Sequence, residues 1–251
     1  MAYWGYFAVM KNIVSYSKQP RVLEIGVDKG QTLIPMLHYL SLNYNKFTLI
    51  GCDILFREEL NVKLNHMRGN LKEGQLLGTA EESSLEFLPR LIDANLDVIG
   101  STDGLLSLAL IDGDHNYYTV KRELEYVSKV LALYGIMVID DYDGRWSEQD
   151  EYFSELEEYK ERSLGIPNQH TEKKGVKTAV DEFLKENPDW TINHLFPQYE
   201  PVLVYRKDMW DITRYKEIDK QLESGIEQMG FTVSPGARFK ALYYKEQEEN
   251  K

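Results

Sequence analysis

The sequence predicts a doubly wound α/β fold, in which helices cover both faces of a largely parallel sheet. Between residues 21 and 139, short apolar runs alternate regularly with amphipathic stretches. The apolar runs are almost uninterrupted, which is typical of strands that are buried on both faces. Most runs also stop at a turn or acidic residue, as expected where a strand gives way to a loop.

Five strands and four helices follow from this pattern. The predicted strands are Arg21–Ile25, Phe47–Cys52, Gln75–Gly78, Leu105–Ile111 and Ile136–Ile139. The predicted helices are Gln31–Leu40, Glu58–Arg68, Ser84–Leu91 and Thr119–Leu131.

The pattern changes after the fifth strand. Tyr142–Gly175 is polar and acidic, and predicts a loop with a surface helix at Glu148–Arg162 that could act as a lid. Beyond it we expect a helix at Val176–Glu186, then two late strands close enough to form an antiparallel hairpin at the sheet edge, and one more amphipathic helix. These last three elements are Trp190–Leu195, Val202–Arg206 and Arg214–Met229. We therefore expect one domain over residues 1–207, including an N-terminal helix, and a helical extension over 208–251 that packs on it.

Composition narrows the class of partner. The 251 residues include 43% hydrophobic residues, enough for a sizeable core, and carry a formal net charge of −12. So acidic a chain disfavours nucleic acid and anionic membranes as partners. The lone cysteine, Cys52, fits a reducing compartment, and the first residues lack the pattern of a signal peptide. We expect a cytoplasmic protein with a small-molecule ligand, and a homo-oligomer is compatible with the sequence.

The first candidate site is the turn after the first predicted strand, where a doubly wound sheet usually binds its ligand. Glu24 and Asp28 make this turn acidic, and Gly26 and Gly30 would let the backbone approach a ligand closely. An acidic turn repels a pyrophosphate and attracts a cation, so S-adenosylmethionine, with its sulfonium and ammonium groups, fits better than NAD. An ordinary tight turn is the alternative interpretation.

Asp53 ends the second predicted strand and is the second candidate. An acidic side chain at this place commonly accepts hydrogen bonds from a ribose diol. A helix cap or a solvated turn residue would explain Asp53 alone equally well. Its spacing from the first turn favours the ribose role.

The third candidate is a set of acids and a histidine at the ends of the fourth and fifth predicted strands. If these strands are neighbours, about 4.8 Å apart, their terminal side chains converge. Crowded carboxylates raise one another's pKa, and a hard divalent cation such as Mg²⁺ relieves the repulsion. Helix capping is the alternative for Asp114 or Asp141, but it explains one or two acids rather than the set. The set comprises Asp112, Asp114, His115, Asp140 and Asp141.

In chain order, the motifs E-I-G-x-x-x-G-x-T, G-C-D, I-D-G-D-H and I-D-D-Y resemble those of the class I methyltransferases. The pattern is most similar to that of the metal-dependent small-molecule O-methyltransferases, including those that methylate macrolide sugars and aminocoumarins. The resemblance runs from about Arg21 to Arg206. It implies a Rossmann-like sheet of seven strands with an antiparallel last strand, and adjacent fourth and fifth strands.

The resemblance also implies roles for individual residues. It places around S-adenosylmethionine the residues Glu24, Gly26, Gly30, Asp53, Ser84 and Asp112. Ser84 would lie near the adenine, with an alignment uncertain by one residue. The implied ligands of a divalent cation are Asp112, Asp140 and Asp141, and their oxygen atoms favour Mg²⁺. His115 falls where related enzymes carry a catalytic base.

These implications predict a metal-dependent O-methyltransferase that acts on a hydroxyl of a sugar, polyol or phenolic compound. Tyr142 and Trp146 are candidate acceptor-pocket residues from their position alone. The alternatives are a metal-independent methyltransferase or a hydroxylase on the same scaffold, and a binding module without turnover. A binding module has no need of Asp112, His115 and the two later acids together.

Overall fold

The structure is a computed structural model that describes residues 10–11, 13–14, 17–95, 105–150, 174–196 and 199–207. The strands are β1 Arg21–Ile25, β2 Phe47–Asp53, β3 Gln75–Glu81, β4 Leu106–Ile111, β5 Leu131–Ile139, β6 Trp190–Phe196 and β7 Tyr199–Arg206. The helices whose first and last residues are both described are α1 Leu33–Asn43, α2 Glu58–Arg68, α3 Ser84–Asp93, α4 Tyr117–Val130 and α5 Gly175–Glu186.

Within the described residues the strands form one seven-stranded sheet in the order β3-β2-β1-β4-β5-β7-β6. Neighbouring strands from β3 to β5 pair in parallel, whereas β7 is antiparallel to both β5 and β6. The predicted fold is therefore confirmed, with its antiparallel last strand, its edge hairpin and its adjacent β4 and β5. The carboxyl ends of β1 to β5 consequently meet at one edge of the sheet, where a ligand crevice is expected.

Two apolar layers cover the sheet. On one face, α1 and α2 pack with Met10, Ile13 and Val14, which are buried near the start of the chain. On the other face, α3, α4 and α5 pack around large side chains such as Phe183 and Trp190. Helices on both faces explain why β1 and β4 read as continuous apolar runs, because each strand is buried from both sides.

Three strands are clearly longer than the sequence predicted. β7 begins at Tyr199 rather than Val202. β3 continues to Glu81, and its last residues are exposed or half-buried because it lies at the sheet edge. A prediction from apolar runs therefore stops too early there. β5 begins at Leu131, but its pairing with β4 is interrupted: Leu131 lies opposite Leu106 and Ile136 opposite Leu108. The irregular residues between them hid the start of this strand.

The loop after β5 is fixed to the start of α5. The backbone N–H groups of Val176 and Lys177 donate to the carbonyls of Trp146 and Ser147, at 3.1 Å each. Asp150 accepts from the N–H of Gly175 at 2.9 Å. These bonds satisfy N–H groups at the start of α5, which no side chain of its own N-cap residue does.

Other predictions fall partly or wholly outside the described residues. Residues 148–150 are not helical, and the rest of the predicted helix to Arg162 lies outside the description, as does the proposed lid beyond residue 150. The same holds for the C-terminal extension and its helix. In the described part of the chain, no helix combines the length and the apolarity that crossing a membrane requires.

Gly26 is the tightest backbone contact at the crevice. Its φ is +83°, and a Cβ at this position would lie 1.9 Å from the carbonyl oxygen of Asp112. The glycine is thus required by the approach of β1 to the end of β4, and not only by a ligand as the sequence suggested. Gly30, with φ +74°, similarly faces side chains of Leu60 and Ile34.

We expect Gly26→Ala to destabilise the fold by about 3 kcal/mol or more, because both the backbone angle and the contact with Asp112 must give way. Urea unfolding measures this loss. Gly69→Ala is the matched control: Gly69 has an α-helical φ of −64°, and its nearest contact is an ordinary 3.5 Å. The control should stay within about 0.5 kcal/mol of the parent. Equal unfolding midpoints for the two variants would contradict the packing described.

Candidate active site

Asp53 organises the turn after β1. Its Oδ2 accepts hydrogen bonds from the backbone N–H groups of Val27 at 2.6 Å and Asp28 at 2.9 Å. Its Oδ1 accepts from the N–H of Leu55 at 2.9 Å. Asp53 therefore holds together the two turns that end β1 and β2. A carboxylate has about four lone-pair directions, so these three bonds leave room for one hydroxyl of a diol.

Glu24 lies at the bottom of the same turn, near the end of β1. It is 2% exposed, and among the described residues its Oε2 has no hydrogen-bond partner. Burial raises the pKa of Glu24 well above its usual value, and the charge of Asp53 raises it further. A buried carboxyl with an open oxygen is suited to a ligand that brings a positive charge or a hydrogen-bond donor.

The predicted acids of β4 and β5 do converge. Burial raises the pKa of Asp112 well above its usual value, and so do the charge of Asp140 and a hydrogen bond to it, with smaller contributions from Glu24 and Asp141. Asp141 is 8% exposed and adopts the left-handed backbone conformation, with φ +55°. Such an angle is uncommon outside glycine and here turns the chain sharply at the end of β5.

His115 joins this group through both ring nitrogens. Its Nδ1 lies 3.4 Å from Oδ2 of Asp141, and its Nε2 lies 3.9 Å from Oδ1 of Asp112. Burial lowers the pKa of His115, against an opposing effect of Asp140. A lowered pKa keeps the imidazole neutral near pH 7, which is the form that can accept a proton.

Asp114 does not belong to this group, although the sequence placed it there. Its Oδ2 accepts from the hydroxyl of Thr119 at 2.6 Å and from the amide of Asn116, the N-cap residue of α4. Asn116 in turn accepts from the N–H of Thr119 at 3.0 Å. Asn116 therefore caps α4, and Asp114 holds the capping side chain in place without capping the helix itself.

The remaining acids offer the oxygen atoms that a divalent cation prefers, but their present arrangement is not that of a formed metal site. Among the described residues, no three His, Cys, Asp or Glu side chains form a ready-made metal site. However, Asp112 and Asp140 are hydrogen-bonded to each other while one of them carries a raised pKa. A cation that binds between such crowded carboxyl groups would relieve their repulsion, and the ligand atoms are oxygens, as Mg²⁺ prefers.

Ser84 lies at the start of α3, but Ser83 caps that helix by accepting from the N–H of Leu85 at 3.2 Å. The hydroxyl of Ser84 instead donates to Oε1 of Glu123 at 2.6 Å. Glu123, on α4, is fully buried, and burial raises its pKa to about 8. The sequence analysis missed Glu123. A signal was present, because this charge shares the apolar face of α4 with Val120 and Val127.

The proposed acceptor-pocket residues are largely engaged elsewhere. Tyr142 is 6% exposed, and its hydroxyl donates to Oδ1 of Asp181 on α5 at 2.7 Å. Trp146 packs against the apolar layer of α5, with the guanidinium of Arg145 4.3 Å from its ring centroid. Asp143 lies beside Tyr142 and is exposed, and it contacts Lys177 and His194. Their role towards an acceptor stays a prediction.

The structure thus combines a Rossmann-like sheet, an acidic turn after β1 and a histidine among acids at one edge of that sheet. Residues 23–142 of this domain match the family model described as a methyltransferase domain. The match covers just under half of the chain and includes the site residues from Glu24 to Asp141. Residues 23–142 are thus similar to a methyltransferase domain, in line with the resemblance.

One solved structure with a TM-score above 0.5 supports the fold, and two others are similar to this chain at lower scores. The apo structure of CalS11, a TDP-rhamnose 3′-O-methyltransferase of calicheamicin biosynthesis, matches with a TM-score of 0.52 and 16% identity, over 80% of this chain and 76% of that one. A putative caffeoyl-CoA O-methyltransferase from Staphylococcus aureus is similar with a TM-score of 0.45 and 16% identity, over 80% and 82% of the two chains. TomG from Streptomyces achromogenes, in complex with SAM, has a TM-score of 0.45 and 16% identity over 78% and 77%. No protein of curated function matches the sequence.

Glu123 gives a prediction for stability against pH. Its pKa is raised to about 8 in the folded chain, above the value of about 4.3 in an unfolded one. The folded state therefore keeps a proton that the unfolded state loses, and stability falls as the pH rises from about 4.3 to about 8. Glu123→Gln removes this dependence.

We expect Glu123→Gln to gain on the order of 3 kcal/mol relative to the parent between pH 5 and pH 8. The measurement is the free energy of unfolding in urea at several pH values. Other buried acids titrate in both proteins, so the difference between the two curves isolates Glu123. Parallel curves across this range would show that Glu123 is ionised in the folded chain.

Proposed function

We propose that this protein is an S-adenosylmethionine-dependent O-methyltransferase that acts on a hydroxyl of a small molecule, with help from a divalent cation. The observation that carries the proposal is the convergence of His115 with Asp112, Asp140 and Asp141, inside a methyltransferase domain. A sugar, a polyol or a phenolic compound offers the hydroxyl that such a group can deprotonate.

The turn after β1 would hold the cofactor, whose sulfonium supplies the methyl group. Asp53 is fixed by three backbone N–H groups and keeps room for one ribose hydroxyl. The open oxygen of Glu24 lies buried beside it and suits the ammonium or a donor group of the same ligand. Gly26 and Gly30 give the turn its shape. These residues bind and orient, which is the larger part of catalysis in a displacement reaction.

His115 would act as the general base. Its imidazole is neutral because burial lowers its pKa, and the carboxylate of Asp141 lies near Nδ1 and fixes the ring. The ligands of a cation would be Asp112, Asp140 and Asp141; a bound Mg²⁺ lowers the pKa of an acceptor hydroxyl and helps to orient it. The acids themselves then stabilise the positive charge that His115 gains.

A metal-independent methyltransferase is the second candidate, and one observation favours it. The hydrogen bond between Asp112 and Asp140 already relieves their repulsion without a cation. In that case Asp141 and His115 alone would handle the acceptor's proton. The two candidates share the cofactor and differ in their response to chelators.

Cofactor binding is the first test. We expect calorimetry to show S-adenosylhomocysteine binding to the parent, and Asp53→Ala to weaken it by roughly 1–3 kcal/mol, because a half-buried hydrogen-bonding partner is lost. Part of this loss comes from the turn that Asp53 holds. Asp189→Ala is the control, since Asp189 is exposed at the opposite edge of the sheet, just before β6. An absence of heat with the parent at millimolar ligand would overturn the proposal.

Two variants test the role of the metal and the role of the general base separately. Asp140→Ala should abolish metal dependence and most turnover while S-adenosylhomocysteine affinity survives. His115→Ala should spare both ligands but lower kcat by about 10²–10⁴, the usual contribution of a positioned base. His66→Ala, an exposed residue on α2, is the control.

Turnover in excess chelator decides between the two candidates. Full methyl transfer after verified metal removal would leave the metal-independent enzyme as the function. Near-normal turnover of His115→Ala would instead remove the base and leave the metal in place. Both assays use a panel of hydroxylated acceptors and detect S-adenosylhomocysteine as the common product.

A further inference from the structure

Asp141 adopts a strained backbone conformation at the point where β5 ends. Its φ of +55° lies in the left-handed region, where the side chain of a residue other than glycine crowds its own backbone. Such an angle persists only where the surrounding structure enforces it. Oδ2 of Asp141 lies 3.4 Å from Nδ1 of His115, which is longer than a normal hydrogen bond. The contact with His115 therefore depends on the strained turn and does not by itself enforce it.

Tyr142, the next residue, is held by its polar groups. Its hydroxyl donates to Oδ1 of Asp181 on α5 at 2.7 Å, and its carbonyl accepts from the hydroxyl of Ser147 at 2.7 Å. The side chain and the backbone of Tyr142 are thus both fixed, and only 6% of the residue is exposed. Because Asp141 and Tyr142 share a planar peptide bond, fixing Tyr142 also restricts how Asp141 can turn.

The ring of Tyr142 contacts side chains from two further places in the fold. The ammonium of Lys177, near the start of α5, lies 5.2 Å from the ring centroid. The imidazole of His194, on β6, packs in a T-shaped arrangement with the two ring centroids 5.4 Å apart. Lys177 and His194 also contact the carboxylate of Asp143, at 2.9 Å and 3.1 Å. Residues 142 and 143 are therefore attached to α5 and β6 together.

We propose that Tyr142 is a positioning residue that, through its hydrogen bond to Asp181, keeps Asp141 in the left-handed conformation that directs its carboxylate at His115. The inference rests on the proposed function, because it takes His115 as the general base and Asp141 as the group that orients it. It assigns Tyr142 a role different from contact with the acceptor, and it adds Asp181 as a residue that acts on the site from α5.

Three substitutions at this hydrogen bond test the role. Tyr142→Phe removes the donor and leaves the ring between Lys177 and His194. Asp181 is exposed, so water solvates the carboxylate that this variant leaves behind. Asp181→Leu removes the acceptor with a side chain of similar size that hinders water from replacing it. Asp181→Asn keeps an oxygen that can accept from the hydroxyl, and it should rescue what Asp181→Leu loses.

Tyr117→Phe is the matched control. Tyr117 lies on α4, and its hydroxyl donates to Oε2 of Glu182 on α5 at 2.6 Å. The chemical change is the same, because a tyrosine hydroxyl is again removed from a carboxylate of α5, but Tyr117 does not adjoin Asp141. We expect Tyr117→Phe and Tyr142→Phe to lower the melting temperature by similar amounts. A change at the site that only Tyr142→Phe produces is then not a general loss of stability.

The first measurement needs neither metal nor ligand. The ¹³Cα and ¹³Cβ chemical shifts of a residue report its backbone conformation, so NMR spectra of the unliganded protein follow Asp141 directly. We expect Tyr142→Phe and Asp181→Leu to move these shifts from the values of a left-handed residue towards those of an extended one. Asp181→Asn and Tyr117→Phe should keep the shifts of the parent.

The second measurement separates turnover from cofactor binding. Tyr142→Phe should lower kcat for methyl transfer by about two- to tenfold, the factor that corresponds to one lost hydrogen bond. Its affinity for S-adenosylhomocysteine should equal that of the parent, because the turn after β1 is not changed. Tyr117→Phe should keep both the kcat and the affinity of the parent.

Unchanged Asp141 shifts in a folded Tyr142→Phe would overturn the inference, whatever the activity. Equal losses of kcat in Tyr142→Phe and Tyr117→Phe would also overturn it, since the hydroxyl would then act through stability alone. Failure of the parent to bind S-adenosylhomocysteine would overturn the proposed function. In that case the shifts of Asp141 would still decide whether Tyr142 holds this residue in its strained conformation.

Discussion

The close approach of β1 to β4 at Gly26 is the contact on which the site depends. The N–H of Gly26 donates to the carbonyl of Cys52 on β2 at 2.9 Å, and the N–H of Asp112 donates to the carbonyl of Ile25 at 2.9 Å. No side chain fits between Gly26 and the backbone of Asp112. The acidic turn after β1 and the acids after β4 are therefore brought side by side by the backbone, before any ligand contributes.

This packing has an electrostatic cost that the fold tolerates. Glu24 is buried and Asp112 half-buried, and each has its pKa raised by the loss of solvent and by the charges of other acids. Buried acids of this kind oppose folding as the pH rises. The apolar layers on both faces of the sheet compensate for this loss of stability. Acids with a raised pKa are common at sites where a ligand supplies the opposite charge.

The sequence predicted the fold well because its strongest signals are local. Apolar runs marked β1, β2 and β4 almost to the residue, and the acids after β4 and β5 were placed together by the sheet order. The prediction failed where a contact joins distant residues. The contact of Ser84 with Glu123 spans 39 residues and no local pattern shows it, although a charge on the apolar face of α4 marked Glu123 as unusual. Asp114 is a different case, because its partners Asn116 and Thr119 are close in sequence and the pattern of acids alone favoured a shared cation instead.

The hydrogen bonds of Asp150 allow the length of the following stretch of chain to change. A single oxygen, Oδ1, accepts from the N–H of Tyr117 at 2.8 Å and from that of Gly175 at 2.9 Å, so residues 150 and 175 lie together beside the start of α4. The ends of the intervening stretch are thus held independently of its length. Doubling the length of a loop whose ends are already joined costs only about 0.6 kcal/mol. Insertions, deletions or whole replacements between residues 151 and 174 can therefore accumulate in evolution, or be engineered, while the two helices that flank the crevice keep their positions.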